Sequence, residues 1–132
     1  MLKDIDFPVG RDVEVFAMEI EEKQDGKWWK VFILNKGHRP LENVLISSVA
    51  YDEFGRQKTQ VFRYHIEKLC SGEYAPLDVL TPELQSLLNE YFISYWQDGI
   101  LYERRLTFPA HHFLKDNEVD IPIPGAKGIF AI

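Results

Sequence analysis

The chain has 132 residues, 45% hydrophobic and 14% aromatic, which excludes intrinsic disorder and lets one core bury roughly two thirds of the unfolded surface. A single cysteine, Cys70, cannot form an internal disulfide, which fits a reducing compartment. Fifteen Lys and Arg against 21 Asp and Glu leave a net charge of -6, a field that repels phosphate backbones and anionic membrane surfaces, so neither nucleic acid nor membrane is expected as a partner.

Acids at Asp4 and Asp6 break up any apolar stretch at the start that could serve a secretory signal, and no apolar run approaches the ~18 residues of a membrane span. The chain is read as cytoplasmic. Without repeats or linkers it reads as one domain over 1–132, with a core of about 12–113 and a tail at 114–132.

Val13 to Glu22 alternates, with Phe16, Met18 and Ile20 on one face and Val13 and Val15 on the other, so a bulge or a second buried side is expected near Val15. Asp25-Gly26 turns the chain into a second strand, Trp28 to Leu34. After the Gly- and Pro-punctuated loop 35–40, the β-branched run Val44 to Tyr51 reads as a central strand buried on both faces. Lys58 to Ile66 follows, with Phe62, Tyr64 and Ile66 on one side. Tyr74 to Leu80 contains Pro76 and reads as an edge strand.

Thr81-Pro82-Glu83 has the chemistry of a helix start, and Leu84, Leu87, Leu88 and Tyr91 recur at helical spacing, which predicts a short amphipathic helix near 82–90. Asp98-Gly99 then sets a two-residue hairpin whose register pairs Tyr95 with Tyr102, Tyr91 with Leu106 and Ile93 with Arg104 on the core side. Trp96 with Leu101 and Phe92 with Arg105 fall on the other. The fold expected is all-β, an antiparallel two-sheet sandwich of immunoglobulin-like or related topology, with a small closed barrel as the alternative.

The string from Asn35 to Gly55, with its Asn, loop, apolar strand and Tyr51-Asp-Glu-Phe-Gly55, resembles the core of FxLYD-type immunoglobulin-like domains, which implies the same sandwich. The whole chain, especially Leu88-Asn-Glu-Tyr-Phe-Ile-Ser-Tyr95 and the late Ile-Pro and Lys-Gly-Ile segments, resembles a group of small uncharacterised bacterial proteins. Some of that group carry a phenylalanyl-tRNA synthetase label. The residues here do not support it, since a synthetase signature is missing and the net charge is negative.

No Gly-x-Ser-x-Gly, phosphate-cradling loop or His-Glu-x-x-His occurs, so the reading is non-enzymatic and no cofactor or metal is expected. Cys70 with His65 five residues upstream is the one nucleophile considered, against a plain packed thiol. His111 and His112 with Asp116, Glu118 and Asp120 carry ligand chemistry, but adjacent strand residues face opposite ways and the acids read as solvated surface.

Two surfaces remain. Consecutive Trp28 and Trp29 must point to opposite faces; if Trp29 enters the core with Val31 and Ile33, then Trp28, Phe32 and Leu34 form an outward row needing cover. The tail residues Ile129, Phe130 and Ile132 must dock on their own domain or on another copy. The leading expectation is therefore an interaction or self-association module using Trp28, Phe32, Ile129, Phe130 and Ile132, with a protein partner or homo-oligomer. The alternative is a small-ligand protein with an aromatic cleft bordered by Tyr64, Tyr91, Tyr95 and Tyr102, whose competing reading is a tyrosine-rich core.

Overall fold

The computed structural model describes residues 6–132; the opening residues weighed against a secretory signal lie outside it. Among the described residues nine strands, one short α-helix and one 3-10 turn follow in order: β1 (Val13–Lys23), β2 (Gly26–Asn35), β3 (Leu41–Tyr51), β4 (Phe62–Leu69), β5 (Tyr74–Leu80), α1 (Pro82–Gln85), β6 (Leu88–Gln97), β7 (Ile100–Phe108), the 3-10 turn Lys115–Asn117, β8 (Val119–Asp120) and β9 (Lys127–Phe130). They form a five-stranded sheet, β5-β2-β1-β9-β8, and a four-stranded sheet, β4-β3-β6-β7, and every ladder is antiparallel. The chain is an all-β sandwich.

The core lies between the sheets. Val13, Val15 and Ala17 of β1, with Trp29, Val31 and Ile33 of β2, face Val44, Ile46, Tyr91, Ile93 and Tyr95 across it. The β6–β7 hairpin has the register that its turn dictates, with Tyr95 opposite Tyr102 and Ile93 opposite Arg104. Asp98 (φ 52°) and Gly99 (φ 77°) both take the left-handed backbone that a tight hairpin turn needs. Arg104, the one charge on the core side of this hairpin, reaches the rim, where it donates to Gly10 O (3.2 Å) and lies 3.8 Å from Glu14.

Of the two causes expected for the phase change in β1, a bulge or a second buried side near Val15, the structure has the second. The five-stranded sheet is buried on both faces: Phe16, Phe32, Leu34 and Ile121 form a second cluster on its outer side, flanked by Met18, Ile123 and Phe130. The bulge lies further on, between Glu19 and Glu21. Residues 114–132 are thus no free tail. β9 pairs with β1 through Phe16–Phe130 and Ala17–Ile129, and the Ile121–Ala126 loop folds over the Phe16 and Phe32 rings, which stack at 5.2 Å.

The chain ends also seal one side of the sandwich. Ile132 exchanges two hydrogen bonds of 2.8 Å with Thr107 of β7, while Gly10 donates to Glu103 O and Glu103 N donates to Pro8 O. Both terminal segments therefore cover the outer edge of β7. On the opposite side the edge strands are β5 and β4, one from each sheet.

Other expectations need correction. The helix spans only Pro82–Gln85: Thr81 caps it, but Leu88 and Tyr91 belong to β6, where pairing with both β3 and β7 outweighs helical spacing. β3 is central in its sheet but buried on one face only, since Leu45 is 54% exposed. β4 begins at Phe62 instead of Lys58, and the first turn centres on Gln24-Asp25, one residue early.

Removing the buried Ile129 side chain should cost ~2–5 kcal/mol, because the cavity would open beside β1 where the sheet cannot collapse. Urea denaturation of Ile129→Ala measures it; a loss below about 1 kcal/mol would mean that β9 does not dock on β1.

Candidate functional site

β5 pairs with β2, and the pairing slips. Lys30 stands opposite Val79 and Phe32 opposite Pro76, so the two residues Leu77 and Asp78 together face Val31. This bulge in an edge strand tolerates Pro76 and changes the strand's phase, so that Asp78 follows Leu77 inward instead of alternating out. A carboxylate is thereby aimed between the sheets. Two hydroxyls donate to it, Tyr64 of β4 to Oδ1 and Tyr91 of β6 to Oδ2 at 2.9 Å, and the Ser48 hydroxyl of β3 lies near enough to favour its ionised form. Among the described residues no Lys, Arg or His forms an ion pair with Asp78.

These groups stand at a cavity of about 170 Å³ between the free edges, walled mainly by apolar atoms of Ala50, Phe62, Tyr64, Leu80, Leu84 and Tyr91. Burial raises the Asp78 carboxyl above its ordinary value, and the hydrogen bonds from Tyr91 and Ser48 offset part of that rise. Burial also pushes the Tyr91 hydroxyl well above its ordinary value, with the Asp78 charge adding to the effect. Tyr91 therefore stays a donor.

The four tyrosines do not share one cleft. Tyr64 and Tyr91 converge on Asp78, whereas Tyr95 and Tyr102 stack on each other at 5.5 Å, beneath the segment at Gly10, where an added Cβ would press on the Tyr95 ring. Of the residues expected to meet a partner, Phe32 and Ile129 are buried by their own chain, Phe130 is half-buried in the outer cluster and Ile132 is 69% exposed although its backbone pairs with Thr107. Trp28 is half-buried, with Lys23 Nζ 4.3 Å from its ring centre and its indole N-H donating to Asp25. Cover for Phe32 and Leu34 comes from residues 121–130 of the same chain, while Trp28 is flanked by Lys23 and Asp25 of its own hairpin.

His65 and Cys70 do not meet as base and nucleophile. The His65 ring lies 3.4 Å from Asn43 Oδ1, while Glu73 Oε1 accepts from the backbone N-H of the exposed Cys70 at 2.6 Å and the Glu73 carboxylate raises the thiol pKa. No three His, Cys, Asp or Glu side chains converge on a metal position among the described residues, and His111 and His112 sit in a turn after β7. Also among the described residues, no helix is long and apolar enough to cross a membrane.

Asp78 and Ser48 are the site residues that sequence reading missed. The usable signal was an acid directly after an apolar residue in a Pro-containing edge strand, Ala75-Pro-Leu-Asp-Val79, which is what a bulge looks like before its partner is known.

No family model and no curated protein matches the chain. Two solved structures of Bacteroides uniformis β-glucuronidase, one of them β-glucuronidase 2 covalently bound to cyclophellitol-6-carboxylate aziridine, are similar at 12% identity over 74% of this chain, with a TM-score of 0.38. The chain spans 13% of each.

Two outcomes follow from the electrostatics. The folded state holds the Asp78 proton to higher pH than the unfolded chain does, so its contribution to stability is greatest below the unfolded value and is lost as pH rises through the folded one. Urea denaturation of wild type and Asp78→Asn from about pH 4 to about pH 7 should show the wild type losing ground to the variant as pH rises; a flat difference refutes the burial of this carboxyl. At Cys70, Glu73→Gln should lower the thiol pKa and speed alkylation by iodoacetamide near about pH 7.5, where the thiolate is the reacting form. An unchanged rate would place the carboxylate away from the sulfur.

Proposed function

We propose that the protein is a non-enzymatic binding module that takes a small ligand, or one inserted side chain, into the cavity between β4 and β5. The observation that carries this reading is the pairing of apolar walls with a half-buried, hydroxyl-bound carboxylate in a space of about 170 Å³. For scale, an engineered apolar cavity of about 150 Å³ is large enough to take up benzene. Pockets of this make, apolar with few converging polar groups, orient a guest by the polar groups and hold it by burial. The self-association reading loses support, because Phe32 and Ile129 are already spent on intramolecular packing.

Ala50 lines the cavity and is itself buried, so Ala50→Leu should place its added carbons in the empty space. The variant is expected to keep or raise the urea midpoint, where a site already filled would lose ~1–3 kcal/mol by overpacking. In ¹⁵N-¹H spectra, small apolar-bodied compounds at millimolar concentration should shift the amides of Ser48, Tyr64, Asp78 and Tyr91 in wild type and not in Ala50→Leu. Shifts absent from wild type, or persisting unchanged in the variant, overturn the reading.

A further inference from the structure

We infer that the guest of this cavity is an organic cation, an alkyl ammonium with a slim apolar body, whose charged head lies against Asp78. The inference rests on the cavity being a ligand site and goes on to its chemical class. An ionised carboxylate offers about four acceptor positions, and the Tyr64 and Tyr91 hydroxyls donate one bond to each oxygen, which leaves acceptor capacity for a further donor. No basic side chain lines the cavity, so the negative charge there is solvated by hydroxyls without being neutralised. The chain's net charge of -6 adds a field of the same sign. An anionic guest meets repulsion from both. A neutral donor can occupy the open lone pair but gains no charge assistance, whereas an ammonium supplies a donor and the missing countercharge together. The apolar walls formed by Phe62, Leu80 and Leu84 then take the alkyl chain.

The titratable groups facing Asp78 are Tyr64 from β4 and Tyr91 from β6, and the lining contributes no other; Ser48 from β3 does not titrate in the accessible range. Binding of an ammonium should consequently follow the ionisation of Asp78 alone, and weaken as pH falls through the value that burial has raised.

The test compares n-butylammonium with butan-1-ol, close in size and differing in charge, by ¹⁵N-¹H titration of the full chain. The ammonium should bind about tenfold more tightly at neutral pH, the usual difference between a charged and a neutral hydrogen-bond partner. That advantage should vanish in Asp78→Asn and, in unaltered protein, on acidification. A blocked lysine peptide titrated in parallel distinguishes a lysyl side chain from a free amine as the source: whichever binds more tightly carries the assignment. If butan-1-ol binds as well as the ammonium, the cation assignment falls while the cavity reading stands. If neither shifts the four amides, both fall.

Discussion

A half-buried carboxylate with no basic partner among the described residues is the constraint around which the open side of this sandwich is arranged. One side is sealed by backbone pairing, where Ile132 and the segment at Gly10 cover β7. The other side has no such ladder between the sheets. There the polar tie is Asp78 of one sheet held by Tyr64, Tyr91 and Ser48 of the other. Withdrawing a charge from water carries a cost that hydrogen bonds offset, so these hydroxyls are the condition for placing Asp78 there. Because they come from β3, β4 and β6, that condition also fixes how β5 sits over the four-stranded sheet.

The features legible in the sequence were those set by local geometry. Asp98-Gly99 fixes a two-residue turn, and from that turn alone Tyr95–Tyr102 and Ile93–Arg104 follow. Trp29 inward with Val31 and Ile33, and the edge position of β5, followed from alternation and from Pro76. Features set by distant partners were not legible. Leu84, Leu87, Leu88 and Tyr91 fit a helix and a strand equally until β3 and β7 are available to pair with Leu88–Tyr91. The inward turn of Asp78 depends on how β5 registers against β2, and the docking of Ile129 depends on a strand over a hundred residues earlier in the chain.

Asn35 shows how the same logic serves an end of the sandwich without any functional consequence. Its side chain is fully buried, donates to Arg39 O at 2.9 Å and Leu69 O at 3.0 Å, and accepts from Gly37 N at 2.9 Å. Every bond goes to backbone of the 35–40 loop or of Leu69 at the end of β4, so the group fastens those two segments together. Asp78 differs in kind. Its partners are hydroxyls of other side chains, a cavity stands beside it, and its charge is unmatched.

That difference matters for energetics. At a position beside apolar Leu80 and Leu84, a leucine or methionine would avoid the desolvation of a carboxylate, and well-packed apolar replacements of buried charges are often stabilising by about 1–4 kcal/mol. A cavity is a second cost, because atoms at its wall forgo dispersion contacts on one side. The fold carries both costs in one place, between the free edges of β4 and β5, while Arg104, the other charge on a core-facing position, reaches backbone carbonyls and Glu14 at the sealed rim. A guest that filled the space and matched the charge would relieve the two penalties together, which is the physical ground for the binding reading proposed above.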